Sequence, residues 1–379
     1  MTCRWPRTCR WWWAICSPGC CRSGAMSSSQ LSLDGHKLIY HPDRLADFLA
    51  GRDIRPLYAE ISPNGHCNHR CLFCNFNYLG HKSFFPEGRM PELVKELAAA
   101  GVKGIVFAGA GEPTLHKDTF AAVHAAKEAG ADVAMSTNGA MLTPEQINAM
   151  AEELTWVRFS ISGGTPESYA RVHRGRPGDF EKVLSNIARL REVRDRISSP
   201  ITIGSQCVLL PENHEDIPAL AATLKQRGAH YFVIKHFYPH NKNEYAPDMS
   251  FLTDEYLAGL QEMADSLTTD DFACILRSKD TLQRNRPYTQ CHGLPFILYV
   301  REDGSLYSCF SHQDDPNTVL GDVGSTSFED VWNADRKQQA FDYINNTIDK
   351  SQCQSNCRHN QINLWLDKLT PPPAHVNFI

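Results

Sequence analysis

From residue 57 to 237 the chain repeats one pattern, a short apolar run and then a helical stretch, with six runs and five helical stretches between them. The runs "LYAEISP" (57–63), "GIVFAGA" (104–110), "DVAMSTN" (132–138), "WVRFSIS" (156–162), "ITIGSQCVLL" (201–210) and "HYFVIKHF" (230–237) read as strands. Between them "MPELVKELAAAG" (90–101), "DTFAAVHAAKEAG" (118–130), "TPEQINAMAEEL" (143–154), "FEKVLSNIARLREVR" (180–194) and "EDIPALAATLKQRG" (215–228) have helical periodicity. Thr143 suits an N-cap, Pro91 and Pro144 suit first turns, and Gly130 suits a helix end. Strands alternating with helices imply a parallel sheet with right-handed crossovers. Six units are too few for a closed eight-stranded barrel. The expected fold is therefore α/β: a six-stranded partial (β/α)6 TIM-type barrel, with its chemistry where strands end and loops begin.

The rhythm changes after residue 240. "NKNEYAPDMS" (241–250) is a polar link, and a helical stretch is expected from 253 to roughly 287. "FILYVREDGSLYSCF" (296–310) is a hairpin around Asp303-Gly304, a dipeptide suited to positive φ. "SFEDVWNADRKQQAFDYI" (327–344) and "QINLWLDKL" (361–369) are helical. The expected division is a leader (1–25), an N-terminal segment (26–56), the barrel (57–240), a helical linker (241–289) and a small α+β domain with a β-hairpin (290–379). The leader has four arginines, no acids and the run "WWWAIC". That run is too short for a signal peptide, so Met26 is taken as the true start.

A net charge of −5 with both signs interspersed gives no reason to expect nucleic acid as a partner. No apolar stretch approaches the roughly 18 residues that cross a bilayer, so no membrane partner is expected either. Five of the fourteen cysteines fall in the leader: Cys3, Cys9, Cys16, Cys20 and Cys21. Without a secretion signal the chain is expected in the cytoplasm with its thiols reduced, and grouped cysteines there point to metal rather than to disulfides.

The tightest group is "SPNGHCNHRCLFCNFNY" (62–78), with Cys67, Cys71 and Cys74 within eight positions. Three thiolates do not close a tetrahedral structural site. One possibility is zinc with His66 or His69 as fourth ligand. The other is an iron–sulfur cube in which each thiolate holds one iron and the fourth iron stays open to a substrate or cofactor. Zinc motifs usually take paired cysteines from two loops, and the position directly after the first strand favours the cube.

"CNHRCLFC" resembles the C-x3-C-x2-C motif of the radical S-adenosylmethionine superfamily, with Phe73 as its aromatic residue. The likeness extends through later motifs in the same order. "AGAGEP" (108–113) resembles a Gly-Gly-Glu-Pro segment in which Ala110 replaces the first glycine. Gly111 there permits close backbone approach, and Glu112 is placed near the methionyl amino group. "STNG" puts Ser136 and Asn138 near the ribose. "SISGG" puts Ser160 and Ser162 on the fourth strand, with Ser162 in place of an aspartate, and Arg174 aligns with an arginine suited to the methionyl carboxylate. Taken singly these are weak: "STNG" is an ordinary turn, and Glu112 can simply cap the next helix. The resemblance implies S-adenosyl-L-methionine as cofactor, a 5′-deoxyadenosyl radical that abstracts hydrogen, and a reductant of the flavodoxin or ferredoxin type.

Cys291 and Cys309, with Gly304 five positions before the latter, are followed by the pair Cys353 and Cys357. This pattern resembles the twitch module, a shortened SPASM domain, and implies a second, fully ligated [4Fe–4S] cluster that carries electrons. Cys353 and Cys357 would serve a zinc site equally well. Within the superfamily the resemblance is strongest to sugar- and aminocyclitol-modifying members. These imply a sugar, aminocyclitol or sugar-nucleotide substrate and a dehydrogenase or epimerase outcome in antibiotic or polysaccharide biosynthesis. Cys207 on the fifth strand is the candidate hydrogen donor for an epimerase, although a buried strand cysteine is usually a small hydrophobe. Lys235, ending the sixth strand, is a candidate anchor or base. Cys274 is assigned to the helical linker. The competing readings are a peptide-modifying maturase, for which about thirty residues before the first strand leave little room for a leader-binding domain; a cyclase, whose C-terminal double glycine is missing; and a nonenzymatic zinc or iron protein.

Overall fold

The structure, a computed structural model, describes residues 36–80, 82–240, 242–277, 282 and 286–378. The expected leader, 1–25, lies outside them. Six parallel strands occur in sequence order: β1 (Tyr58–Ile61), β2 (Gly104–Phe107), β3 (Asp132–Thr137), β4 (Trp156–Ser160), β5 (Thr202–Val208) and β6 (Tyr231–Lys235). Each pairs with the next. Helices α2 (Met90–Ala99), α3 (Thr119–Glu128), α4 (Pro144–Glu153), α6 (Asp179–Ile197) and α7 (Ile217–Gln226) form the crossovers, and α1 (Pro42–Leu49) precedes β1. An additional short helix, α5 (Pro166–His173), follows β4 directly.

The local reasons match the residues. Thr143 and Gln146 form a reciprocal capping box at α4, worth about 0.5–2 kcal/mol relative to alanine at the cap. The core lies between strands and helices, where Phe107, Phe159, Ile187 and Phe232 are fully buried. The opposite faces of β1, β4, β5 and β6 carry polar side chains that line one common cavity, so the sheet is curled around it.

The sheet does not stop at six strands. Its order is β10 (Val319–Asp322), β9 (Ser305–Tyr307), β8 (Ile297–Val300), β1, β2, β3, β4, β5, β6 and β7 (Ala273–Leu276), with the added strands at both edges. The helical stretch expected from 253 to about 287 is instead α8 (Asp254–Leu267) followed by β7 (Ala273–Leu276), which pairs in parallel with β6. Cys274 is thus a buried strand residue rather than part of a helical linker. The apolar run "FACIL" satisfies the free edge of β6, a tertiary demand that local periodicity does not reveal.

The hairpin is β8 (Ile297–Val300) and β9 (Ser305–Tyr307), with Gly304 at φ +88° in its turn. It belongs to the same sheet as the barrel, because β8 pairs in parallel with β1 and β10 (Val319–Asp322) continues beyond β9. The single helical run expected over 327–344 is broken at Ala334, whose backbone is extended, into α9 (Phe328–Asn333) and α10 (Asp335–Asn346). The last α-helix is α11 (Arg358–Leu366). Leu45 and Phe48 of α1 pack on Phe296, Ile362 and Leu366, so the N-terminal helix covers the C-terminal module. Among the described residues, no helix is long and apolar enough to cross a membrane.

Candidate functional site

The chain leaves β1 at Ile61 and enters the cysteine loop, which is fastened on two sides. Gly65 N donates to Ser83 O at 2.7 Å, while Arg70 N and Leu72 N donate to the carbonyls of His173 and Val172 at the end of α5. Gly111 sits against the carbonyls of Asn64 and His66 so closely that a Cβ there would overlap them. The close approach that requires glycine at this position is therefore to the loop itself.

Cys67, Cys71 and Cys74 all line one cavity of about 360 Å³. Burial pushes each thiol up, Cys67 to about 11 and Cys71 well above its ordinary value, and the charges of Cys74 and Cys67 add to the effect at Cys71. Three thiols that disfavour one another's ionisation form a donor set that a cationic iron cluster relieves. Of the two histidines weighed as zinc ligands, His69 offers a ring nitrogen within 4.8 Å of Cys71 Sγ, and His66 does not join that group. His66 is exposed, and buried His69 directs Nε2 to Asp179 Oδ2 at 3.0 Å.

A different histidine meets the cysteines. His173 Nε2 accepts from Ser162 N at 2.8 Å, and its Nδ1 lies 3.1 Å from Cys71 Sγ, close to His69 as well. Burial and the neighbouring His69 push its pKa down to about 3, so the ring is neutral. With Nε2 accepting, the ring hydrogen belongs on Nδ1 and points at the sulfur.

Of the residues expected to touch the cofactor, Phe73, Gly111, Glu112, Ser136, Asn138 and Ser160 share the cavity wall with the cysteines. Glu112 is 2% exposed. Its Oε1 accepts from Thr114 N, Thr114 Oγ1 and Thr137 Oγ1, whereas Oε2 accepts only from Asn138 N at 2.7 Å. Glu112 therefore caps the following turn and still keeps capacity on Oε2 for an ammonium donor. Asn138 Nδ2 donates to Asn68 Oδ1 at 2.8 Å, tying β3 to the cysteine loop.

Ser162 and Arg174 do not reach this wall. Ser162 is buried, and its hydroxyl accepts from Val208 N at 3.1 Å. Arg174 ends α5 in the left-handed region, φ 49°, with its side chain exposed.

Cys207 also faces away. Strand residues alternate sides, and on β5 it is Gln206 and Val208 that line the cavity. Cys207 is buried in the core beneath the helices, with Asn213 Nδ2 3.7 Å from its sulfur and its pKa pushed up to about 12 by burial. The hydrogen-donor role considered for it is corrected accordingly.

Lys235 does face the cavity. So do Glu60, Arg158, Gln206, Tyr299 and Arg358, none of which the sequence singled out. The signal for Arg158 was present in "WVRFSIS": it shares the strand face of Ser160, two positions earlier.

The second thiol set converges in the C-terminal module. Burial raises Cys309 well above its ordinary value, and the charges of Cys357, Cys291 and Cys353 follow as causes. Cys291 is held by Asn363 Nδ2 at 3.3 Å and is pushed up to about 12. Four mutually coupled thiols are the donor set that fills every iron of a cube. Of the four, only Cys357 lines the cavity.

Comparison with known proteins gives two domain matches: the Radical SAM superfamily over residues 61–224, and SPASM, an iron–sulfur cluster-binding domain, over residues 291–358. An S-adenosylmethionine-dependent nucleotide dehydratase of Lacinutrix mariniflava is 35% identical over 30% of this chain and 25% of its own length. A tungsten-containing aldehyde ferredoxin oxidoreductase cofactor-modifying protein of Pyrococcus furiosus is 27% identical over 75% of this chain and 82% of its own length. Several curated relatives are matched over only a quarter to about half of their own length. Streptococcus suis SuiB, solved bound to S-adenosylmethionine, shares the fold with a TM-score of 0.62 at 16% identity, over 86% of this chain and 76% of that one.

Proposed function

Because the chain carries a radical SAM domain followed by a SPASM iron–sulfur domain, and with them S-adenosylmethionine and two [4Fe–4S] clusters, we propose that it oxidises a hydroxylated small molecule, a sugar, aminocyclitol or sugar nucleotide, to the ketone. The observation that carries this reading is that Cys357 lines the same cavity as Cys67, Cys71 and Cys74. A substrate in that cavity lies between the open cluster and one that can take up an electron. Bound at the first cluster, the cofactor supplies a 5′-deoxyadenosyl radical that abstracts hydrogen from a C–H bond.

The protein's own residues bind and orient. Cys67, Cys71 and Cys74 would hold three irons, while Cys291, Cys309, Cys353 and Cys357 would hold four. Glu112 Oε2 would accept from the cofactor's ammonium, with Ser136, Asn138 and Ser160 along its polar edge. Lys235 Nζ would hold a substrate oxygen. The position of Cys207 in the core, away from the cavity, weighs against an epimerase that uses that thiol. The architecture of one open and one fully ligated cluster resembles that of aminocyclitol dehydrogenases and supports oxidation, in an antibiotic or polysaccharide setting, with a flavodoxin- or ferredoxin-type reductant.

A second reading, dehydration, is favoured by the 35% identity to a nucleotide dehydratase, which is confined to 118 residues. Anaerobic turnover of the reconstituted chain with deuterated sugars and cyclitols separates the two. One cofactor consumed per ketone, with deuterium in 5′-deoxyadenosine, supports oxidation. Loss of water without a net two-electron change supports dehydration and sinks the first reading.

A further inference from the structure

Resting on that reading and deepening it, we propose that the cavity seats a phosphoryl group: Arg158 on β4 and Lys235 on β6 hold the phosphate of a phosphorylated sugar or nucleotide. The cavity wall contains the cations Arg158, Lys235 and Arg358, together with Arg70 of the cysteine loop. Arg358 is already matched, its Nη2 lying 2.7 Å from Glu60 Oε2 and its Nη1 donating to Tyr58 Oη at 2.5 Å. Arg70 spends its Nη1 on the carbonyls of Cys67 and His69.

Arg158 and Lys235 have no such match. The Arg158 guanidinium lies over the Trp156 ring at 5.5 Å, and its Nε is buried without an acceptor. Neither side chain has a carboxylate partner among the described residues. Tyr299 Oη is likewise buried without a partner on the same wall. The unmatched groups are thus two cations and a hydroxyl, which call for an acceptor carrying about two negative charges.

A phosphoryl dianion meets that demand in charge and in number of acceptor oxygens, whereas a carboxylate brings half the charge. Lys235 is consistent with this: burial and the guanidinium charges of Arg158, Arg358 and Arg277 push its pKa well down against the opposing charge of Glu60, and a further anion beside the guanidinium groups would offset their part of that push. Arg158 stands two residues before Ser160 on the same face of β4, deeper in the barrel. A phosphate held there leaves the substrate's carbon skeleton toward the cysteine loop.

The test uses the full chain, reconstituted anaerobically and saturated with S-adenosylmethionine so that the cofactor's own sites are filled. Inorganic phosphate, pyrophosphate and acetate are titrated by calorimetry; glucose 1-phosphate and uridine 5′-monophosphate then distinguish a sugar phosphate from a nucleotide. Saturable binding of phosphate and pyrophosphate is expected, with acetate at least about tenfold weaker. Arg158→Gln and Lys235→Met should each weaken pyrophosphate about 10- to 100-fold, and Arg158→Lys should recover part of the loss. If Arg158→Gln loses its iron, Lys235→Met at the strand end carries the test. The seat is overturned if the wild type shows no saturable phosphate binding, if acetate binds equally, or if neither variant weakens binding. Iron content and cofactor cleavage measured on the same wild-type preparation separate the two claims. With both normal and no anion bound, only the seat falls; with either absent, the reading of the whole site falls.

Discussion

The two thiol sets are built on opposite plans. Cys67, Cys71 and Cys74 come from one loop between β1 and the rest of the barrel, and all three face the cavity. Cys291, Cys309, Cys353 and Cys357 come from segments far apart in sequence, around the hairpin and before α11, and three of the four are turned from the cavity. On the proposed reading the first set, local and incomplete, leaves an iron that chemistry can reach, and the second, assembled by the tertiary fold and complete, only has to pass an electron. Reactivity and insulation follow from ligand number and from which side of each thiol the cavity lies.

The largest expected effect tests the incomplete set. Cys71→Ala should abolish cleavage of S-adenosylmethionine and lower iron from about eight to about four per chain, read by 5′-deoxyadenosine yield and iron assay. Cys309→Ala should lower iron by the same amount while leaving cofactor cleavage measurable and ending product formation. Equal loss of cleavage in both variants would break the comparison.

A smaller effect sharpens it. Removing the N–H that His173 directs at Cys71, by His173→Phe, should lower the potential of the first cluster by roughly 60 mV, the equivalent of ~1.4 kcal/mol, and leave the second unchanged. Potentiometry followed by electron paramagnetic resonance resolves the two clusters.

The effect least tied to either cluster provides a background against which acid loss of either cluster is read. His230 Nδ1 accepts from Ile203 N at 2.9 Å, and burial, with Arg194 and Arg191, pushes its pKa down to about 4. The unfolded chain binds the proton below about 6.5 and the folded chain only near 4. Stability is therefore full above 6.5 and falls between 6.5 and 4, by on the order of 1–3 kcal/mol. In urea titrations of the cluster-free protein, His230→Gln should flatten this slope; an unchanged slope would assign the acid sensitivity elsewhere.

Much of this was legible before the structure because it is local. The β–α rhythm, the cap at Thr143, the Asp303-Gly304 turn and the three-cysteine loop each declare themselves within a few residues. What escaped depends on strand parity or on distant partners. Cys207 and Gln206 are neighbours, and a one-residue difference decides which faces the cavity. β7 exists because β6 offers an open edge. Arg158 and Arg358 look like ordinary surface charges until the sheet curls around them. Ser162 and Arg174 matched a motif, yet one serves β5 and the other ends a helix.

The pairing of β8 with β1 joins residues some 240 positions apart by backbone hydrogen bonds. Such a seam closes late, because a long loop must be drawn in before any bond is gained. Until then the outer edge of β1 presents unpaired amides, an invitation to another chain. A fragment ending before the hairpin should accordingly be prone to self-association, and the newly made barrel half waits for its own tail before it is safe from its neighbours.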